Sequence, residues 1–272
     1  MLATTIELHE GRPLRVARMG DGPPLVLLHG YPDNLQIWNK LAPRLADRFS
    51  VIAFDWPGMG YSAGWGGGAT PVHMAERLLH LLDAWGIEQA SLAGMDMGGQ
   101  PALAFAAQHP ARTRHVVVMN SLVLWDAPTS WEIRVLRRFG WNRFILSRLP
   151  RAVFRRAERT FLPRTARLPY DMRADLWESF RRPEVRQFIV RMCAGYQATL
   201  PRLPERYRQI QRPTLALWGA NDAHFPPVHA ERLQQLIPGS QLQIVPDGEH
   251  WMVWHLADMI AAHIRAFVEQ PL

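Results

Sequence analysis

Asp96 lies in Ala93-Gly94-Met95-Asp96-Met97-Gly98-Gly99, with a glycine two residues before it and two after it. The apolar run Ala90 to Met95 leads in, and a helical pattern from Gln100 to His109 leads out. A strand that turns straight into a helix through one residue needs small neighbours on both sides. The carboxylate would then sit at a helix N-terminus, where the dipole favours an anion. An ionised carboxylate is a usable nucleophile toward carbon electrophiles. An ordinary Asp cap on a βα turn has the same local sequence, so further residues must decide. His29-Gly30-Tyr31-Pro32-Asp33 follows another apolar run, Pro24 to Leu28. The backbone N–H groups of Tyr31 and Met97 are candidates for an oxyanion hole, and Asp33 is a candidate for substrate contact. Late in the chain, Asp222 follows Thr214 to Trp218 closely, and His250 follows Leu242 to Val245. Nucleophile, acid and histidine thus occur in that order. His29, His224 and His255 compete for the base. His29 belongs to the oxyanion loop, and His224 has no matching partner in the sequence.

Positioning these groups requires strands that end on one edge. Short continuous apolar runs fit strands buried on both faces. Such runs occur at 24–28, 50–54, 90–95, 115–119, 214–218 and 242–245. Helical patterns at 35–46, 72–85, 100–109, 228–236 and 252–268 separate or follow them. Repeated strand–helix units imply an α/β fold with a mostly parallel central sheet and helices on both faces. Open sheets of this kind bind ligands at the carboxyl ends of their strands. Thr4–Leu8 and Leu14–Arg18 predict a hairpin at the sheet edge. From about Trp125 to Gln211 the rhythm breaks. Arg, Trp and Phe recur at helical spacing there, and Pro150, Pro163, Pro169, Pro183, Pro201 and Pro204 cut the stretch into short helices. The expected organisation is a core of 1–124 and 212–272 with a helical insertion at 125–211.

On these marks the chain resembles the α/β-hydrolase superfamily over nearly its whole length. The resemblance is carried by His29-Gly30-Tyr31-Pro32, by Asp55-Trp56-Pro57-Gly58-Met59-Gly60-Tyr61-Ser62, by the turn around Asp96, and by Asp222 and His250. Aspartate at the turn is similar to the branch holding epoxide hydrolases, haloalkane dehalogenases and haloacetate dehalogenases. The resemblance implies that the insertion is a helical cap. It implies that Asp96 attacks carbon to form an alkyl ester, that His250 supported by Asp222 activates water, and that no metal or cofactor takes part. Asp126, after the strand ending at Asn120-Ser121, is the alternative acid.

Each member of that branch must stabilise a different leaving group. Epoxide opening leaves an alkoxide, and Tyr170, Tyr196 and Tyr207 in the insertion are candidate proton donors. The His29-Gly30-Tyr31-Pro32 loop is also similar to that of epoxide hydrolases. Halide release calls for N–H donors, and Trp177, Trp131 or Trp141 could supply an indole. Haloalkane dehalogenases usually carry Trp directly after the nucleophile, and epoxide hydrolases often do, where this chain has Met97. Haloacetate dehalogenases carry Arg just after it, where this chain has Met97 and Gln100. The expectation is an epoxide hydrolase-like enzyme, with a haloalkane or haloacetate dehalogenase as the alternative. A non-catalytic ligand-binding protein on the same fold is the other class, but a pure binder has no use for His250 with Asp222.

Composition sets the frame. The chain has 272 residues, 48% hydrophobic and 20% charged, which excludes a disordered or coiled-coil protein. Cys193 is the only cysteine, which excludes an intrachain disulfide and a Cys-rich zinc site. Residues 1–10 do not read as a signal peptide, and no apolar stretch is long enough to span a bilayer. A cytoplasmic protein acting on a small molecule, as monomer or homodimer, is the expectation. The net charge is +7, and all basic residues but Lys40 are arginine. Between Arg134 and Arg212 there are 20 arginines and 6 acids, a local +14. No nucleic-acid motif accompanies this block, so it reads as a solvated helical surface, with an affinity for anionic substrates or anionic lipid surfaces left open.

Overall fold

The computed structural model describes residues 1–271. Eight strands form one sheet: β1 (Thr5–His9), β2 (Arg12–Met19), β3 (Pro24–Leu28), β4 (Ser50–Phe54), β5 (Ala90–Met95), β6 (Thr113–Met119), β7 (Thr214–Gly219) and β8 (Gln241–Val245). Their spatial order is β1-β2-β4-β3-β5-β6-β7-β8. β2 is antiparallel to both its neighbours, and β3 to β8 run parallel. The expected α/β architecture is borne out. The central strands β5, β6 and β7 are buried almost throughout, as their unbroken apolar runs require. The edge hairpin turns through Glu10 and Gly11, both at positive φ, in the manner of a two-residue β-turn.

The core helices are α1 (Leu41–Leu45), α2 (Pro71–Ala84), α3 (Gly99–Gln108), and, after the insertion, α10 (Val228–Leu236), α11 (Met252–His255) and α12 (Ala257–Val268). α1 packs against α12, and α2 against α3. Two elements differ from the sequence expectation. The pattern at 35–46 is a 3₁₀ turn, Leu35–Trp38, followed by the short α1. Asn34 caps that turn by accepting from the N–H of Gln36, and Pro43 leaves little room for a long helix. The closing helix breaks at Leu256, whose φ of −117° is outside the helical range.

Between β6 and β7 lie six further helices: α4 (Trp131–Leu136), α5 (Trp141–Arg148), α6 (Pro150–Phe161), α7 (Tyr170–Phe180), α8 (Pro183–Thr199) and α9 (Leu203–Tyr207). Pro150 and Pro183 stand at the first position of α6 and α8. Proline is tolerated there because its missing N–H would have no helical partner. Arg15 on β2 reaches across to α7, donating to both carboxylate oxygens of Asp175 at 3.0 and 2.9 Å.

Candidate active site

The carboxyl ends of β3, β5, β7 and β8 converge. Asp96 sits at φ +51°, a left-handed conformation that is costly for any residue but glycine. The glycines around it explain how that is tolerated. A Cβ on Gly98 would lie 2.1 Å from the carbonyl oxygen of Leu28, and one on Gly94 would lie 2.3 Å from that of Gly98. Both clashes are with backbone, so no side-chain rotation relieves them. A Cβ on Gly30 would lie 2.3 Å from Asp96 Oδ1. The turn is closed by Ser121, whose hydroxyl donates to the Asp96 carbonyl at 2.5 Å, and by the Asp96 N–H, which donates to the Asn120 carbonyl at 3.2 Å.

The Asp96 side chain faces two groups. The Tyr31 N–H donates to Oδ1 at 3.0 Å. His250 Nε2 lies 3.5 Å from Oδ2 and has no other partner among the described residues. The other ring nitrogen, Nδ1, is 2.8 Å from Asp222 Oδ2. Asp222 Oδ1 accepts two backbone N–H bonds, from His224 at 2.8 Å and Phe225 at 3.1 Å. Burial would lower the His250 pKa, but the Asp222 carboxylate and then Asp96 overcome this and hold it above the ordinary imidazole value. Burial acts to raise Asp222, and the facing imidazole and the two N–H bonds bring it below the usual carboxylate value. The geometry thus offers a carboxylate held by a backbone donor, next to a histidine whose orientation a second carboxylate fixes.

The other sequence candidates fall in different places. Met97 lines a narrow cleft beside Asp96 with Gln100, Cys193 and Tyr196. Tyr196 is buried, and burial pushes its hydroxyl well above the ordinary phenol value, so it is protonated. Tyr170 is 86% exposed on α7, and Tyr207, the last residue of α9, is buried with an unpartnered hydroxyl. Trp177 packs on Phe154 between helices. None of these three lines the cavity or the cleft at Asp96. Asp33 is buried 3.9 Å from His29 without a hydrogen-bond partner, and burial raises its pKa. Asp126 forms an exposed pair with Arg232 at 2.7 Å. His29 is held inside the core by the Gly30 carbonyl at 2.7 Å and the Trp56 N–H at 3.1 Å.

From the sequence Asn120 takes no role, and His224 is weighed only as a competing base. Asn120 donates to the carbonyls of Glu249 and His250 at 3.0 and 2.9 Å and accepts from the Gly219 N–H at 2.9 Å. It ties the end of β6 to β7 and to the loop after β8. Its signal was a polar residue closing an apolar strand. His224 contacts Ser130 at 2.9 Å and Thr160 at 2.8 Å, joining the core loop to α4 and α6. Burial and the neighbouring His250 push its pKa down to about 4, so it is neutral. Above Asp96, Tyr31 and His224 lies a cavity of about 540 Å³, walled by Ile133 and Leu136 of α4, Ile145 of α5, and Val153, Ala157 and Phe161 of α6. Glu132, Arg155, Arg156, Arg159 and Thr160 also line it, and a cavity of this volume with mainly apolar walls is ordinary for a substrate pocket. Among the described residues no group of three His, Cys, Asp or Glu side chains is arranged as metal ligands.

Comparison with known proteins agrees with the fold. Residues 23–255 match the α/β hydrolase fold family. A dihydrolipoyllysine-residue acetyltransferase component of an acetoin cleaving system from Pseudomonas putida is 30% identical over 264 residues, covering 96% of this chain and 68% of the relative. Haloalkane dehalogenase 2 of Mycobacterium bovis is 27% identical over 257 residues, covering 90% of this chain and 87% of that one. A solved Pseudomonas aeruginosa structure, provisionally named an epoxide hydrolase, shares the fold with a TM-score of 0.84 at 22% identity, covering 98% of this chain and 95% of the other. With its eight-stranded, mostly parallel sheet, its helical flanks and this match, the chain belongs to the α/β hydrolase fold family.

Proposed function

We propose that the protein is a hydrolase acting through a covalent aspartyl alkyl ester, with an epoxide as its electrophile. The observation that carries the reading is Asp96 itself. It occupies the strained turn after β5, with a backbone donor on one oxygen and an oriented histidine near the other. Oδ2 attacks an epoxide carbon, the carbon–oxygen bond opens, and the alkoxide takes the proton of the Tyr196 hydroxyl. Oδ1 becomes the ester carbonyl, still held by the Tyr31 N–H. Esterification removes the Asp96 charge, one of the forces that raise the His250 pKa. The His250 pKa therefore falls at the stage where a base is needed. It takes a proton from water, the water attacks the Asp96 carboxyl carbon, and the Tyr31 N–H steadies the oxyanion, with the Met97 N–H as the second donor. Collapse expels the diol oxygen, which takes the proton back from His250, and the proton left on the new Asp96 carboxyl returns to the Tyr196 oxygen, which restores both residues. Helices α4 to α6 act as the cap that keeps bulk water from the ester.

His250→Gln removes the base and stalls the second step. Intact-mass spectrometry after incubation with an epoxide pool should show an adduct equal to the whole epoxide, absent from the His250→Gln/Asp96→Ala protein. An adduct equal to a haloalkane minus HX would instead make the enzyme a dehalogenase. Absence of adducts from all pools would overturn the covalent reading. Tyr196→Phe, which keeps the ring and deletes the proton, should slow epoxide opening by about 10²-fold while leaving ester hydrolysis unchanged. Single-turnover kinetics separate the two steps.

A further inference from the structure

The outer face of the insertion differs in chemistry from the rest of the surface. From Trp131 to Arg159 there are nine arginines and two glutamates, a local +7 that equals the net charge of the whole chain. Both glutamates are occupied, Glu132 by Arg156 at 2.8 Å and Glu158 by Arg173 at 2.5 Å. The exposed Arg134, Arg138, Arg143 and Arg148 have no carboxylate partner among the described residues. Large apolar side chains are interleaved with them. Phe139 is 65% exposed, Trp141 60% and Phe144 55%. With Trp131 and Leu149 they make five of the ten large hydrophobic side chains exposed among the described residues, gathered in one short stretch. Scattered single hydrophobics are normal on a protein surface, whereas a gathered patch marks an interaction site. Trp131 and Leu149 also line the cavity above Asp96, together with Arg155 and Arg159. The cavity therefore opens within this patch.

We propose that this face docks on an anionic lipid surface and presents the cavity mouth to the lipid. Aromatic and aliphatic side chains enter the boundary between headgroups and acyl chains, while arginine stems lie along it with their guanidinium groups on lipid phosphates. Anionic lipids supply the charge this face lacks. A second copy of the chain would bring the same positive face and be repelled. A nucleic acid would satisfy the charge but would have no use for an apolar cavity opening between the arginines. The docking needs no spanning segment, and no described helix is long and apolar enough to be one.

The test is co-sedimentation of the full chain with phosphatidylcholine vesicles, with and without phosphatidylglycerol. Binding should require phosphatidylglycerol and weaken with salt. Arg143→Gln/Arg148→Gln and, separately, Trp141→Ser/Phe144→Ser should each lower partitioning by at least about tenfold. All four positions are exposed, so circular dichroism melts should match the parent. The proposal falls if the chain stays in the supernatant or if phosphatidylcholine alone binds as well. It falls equally if the aromatic variant binds unchanged, which would be charge adsorption to any polyanion. Tighter binding to a single-stranded oligonucleotide, or a dimer dissolved by the aromatic variant, would replace the lipid with that partner.

Discussion

Asp222→Asn should lower turnover by about 10⁴-fold while leaving the fold intact. The reason is the wiring of that carboxylate. Its Oδ1 accepts the N–H groups of His224 and Phe225, so in the variant the amide oxygen must take that place. The amide nitrogen then faces His250 Nδ1, where Oδ2 now stands at 2.8 Å. A donor at that point forces Nδ1 to accept, and the ring proton moves to Nε2. In the proposed mechanism Nε2 must take a proton from water, so the base is lost without loss of geometry. Ester formation by Asp96 does not need a basic Nε2, so the alkyl-enzyme should accumulate and be visible by intact mass. Asp126→Asn should stay within a few-fold of the parent, because Asp126 is spent on an exposed pair with Arg232. Exposed pairs of that kind contribute little. Near-full activity in Asp222→Asn with loss in Asp126→Asn would reverse the assignment of the acid.

The residues at this centre were legible in the sequence because each stands where a short-range pattern changes. Gly94 and Gly98 bracket Asp96 because two backbones approach there, and glycine spacing can be read without a structure. Asp222 and His250 each follow an apolar run, so their strand-end positions were also readable. What could not be read depends on contacts between distant segments. A polar residue closing an apolar strand marks Asn120 only as a strand end, and its bonds to residues about 100 and 130 positions away could not be read locally. The tyrosines of the insertion look alike in sequence. Only packing separates Tyr196, which lines the cleft at Asp96, from the exposed Tyr170 and the enclosed Tyr207. His224 appeared to lack a partner because its partners, Ser130 and Thr160, belong to α4 and α6. The pattern at 35–46 read as one helix because its apolar spacing is helical. Capping by Asn34 instead made a 3₁₀ turn of its first part.

Arg15→Ala should destabilise the protein by about 3–5 kcal/mol, the cost of leaving a buried charge without its partner. Arg15 is a buried cation between two carboxylates. It donates twice to Asp175 on α7 and lies 3.7 Å from Asp55, whose own oxygens accept the N–H groups of Leu35 and Tyr61. Burial alone would lower the Arg15 pKa, and the bonds to Asp175 and the charge of Asp55 raise it above the ordinary value. In the alanine variant Asp55 and Asp175 remain without that cation. Asp55 already has a raised pKa, through burial first, even with His29 and Arg15 acting to lower it. Losing Arg15 raises it further. A carboxyl whose folded pKa exceeds its unfolded value binds more protons in the folded state, so stability falls as pH rises through that window. The deficit of Arg15→Ala should therefore be largest at neutral pH and shrink as pH is lowered toward the carboxylate range. Urea titrations of parent and variant at two pH values measure this directly. Because Asp175 also accepts from Asn34 at 2.8 Å, α7 has a second tie to the core. The expected loss is thus in global stability, with the inserted helices still seated in the folded fraction. A deficit that is small, or that grows on acidification, would show that the buried cation does not hold Asp55 ionised.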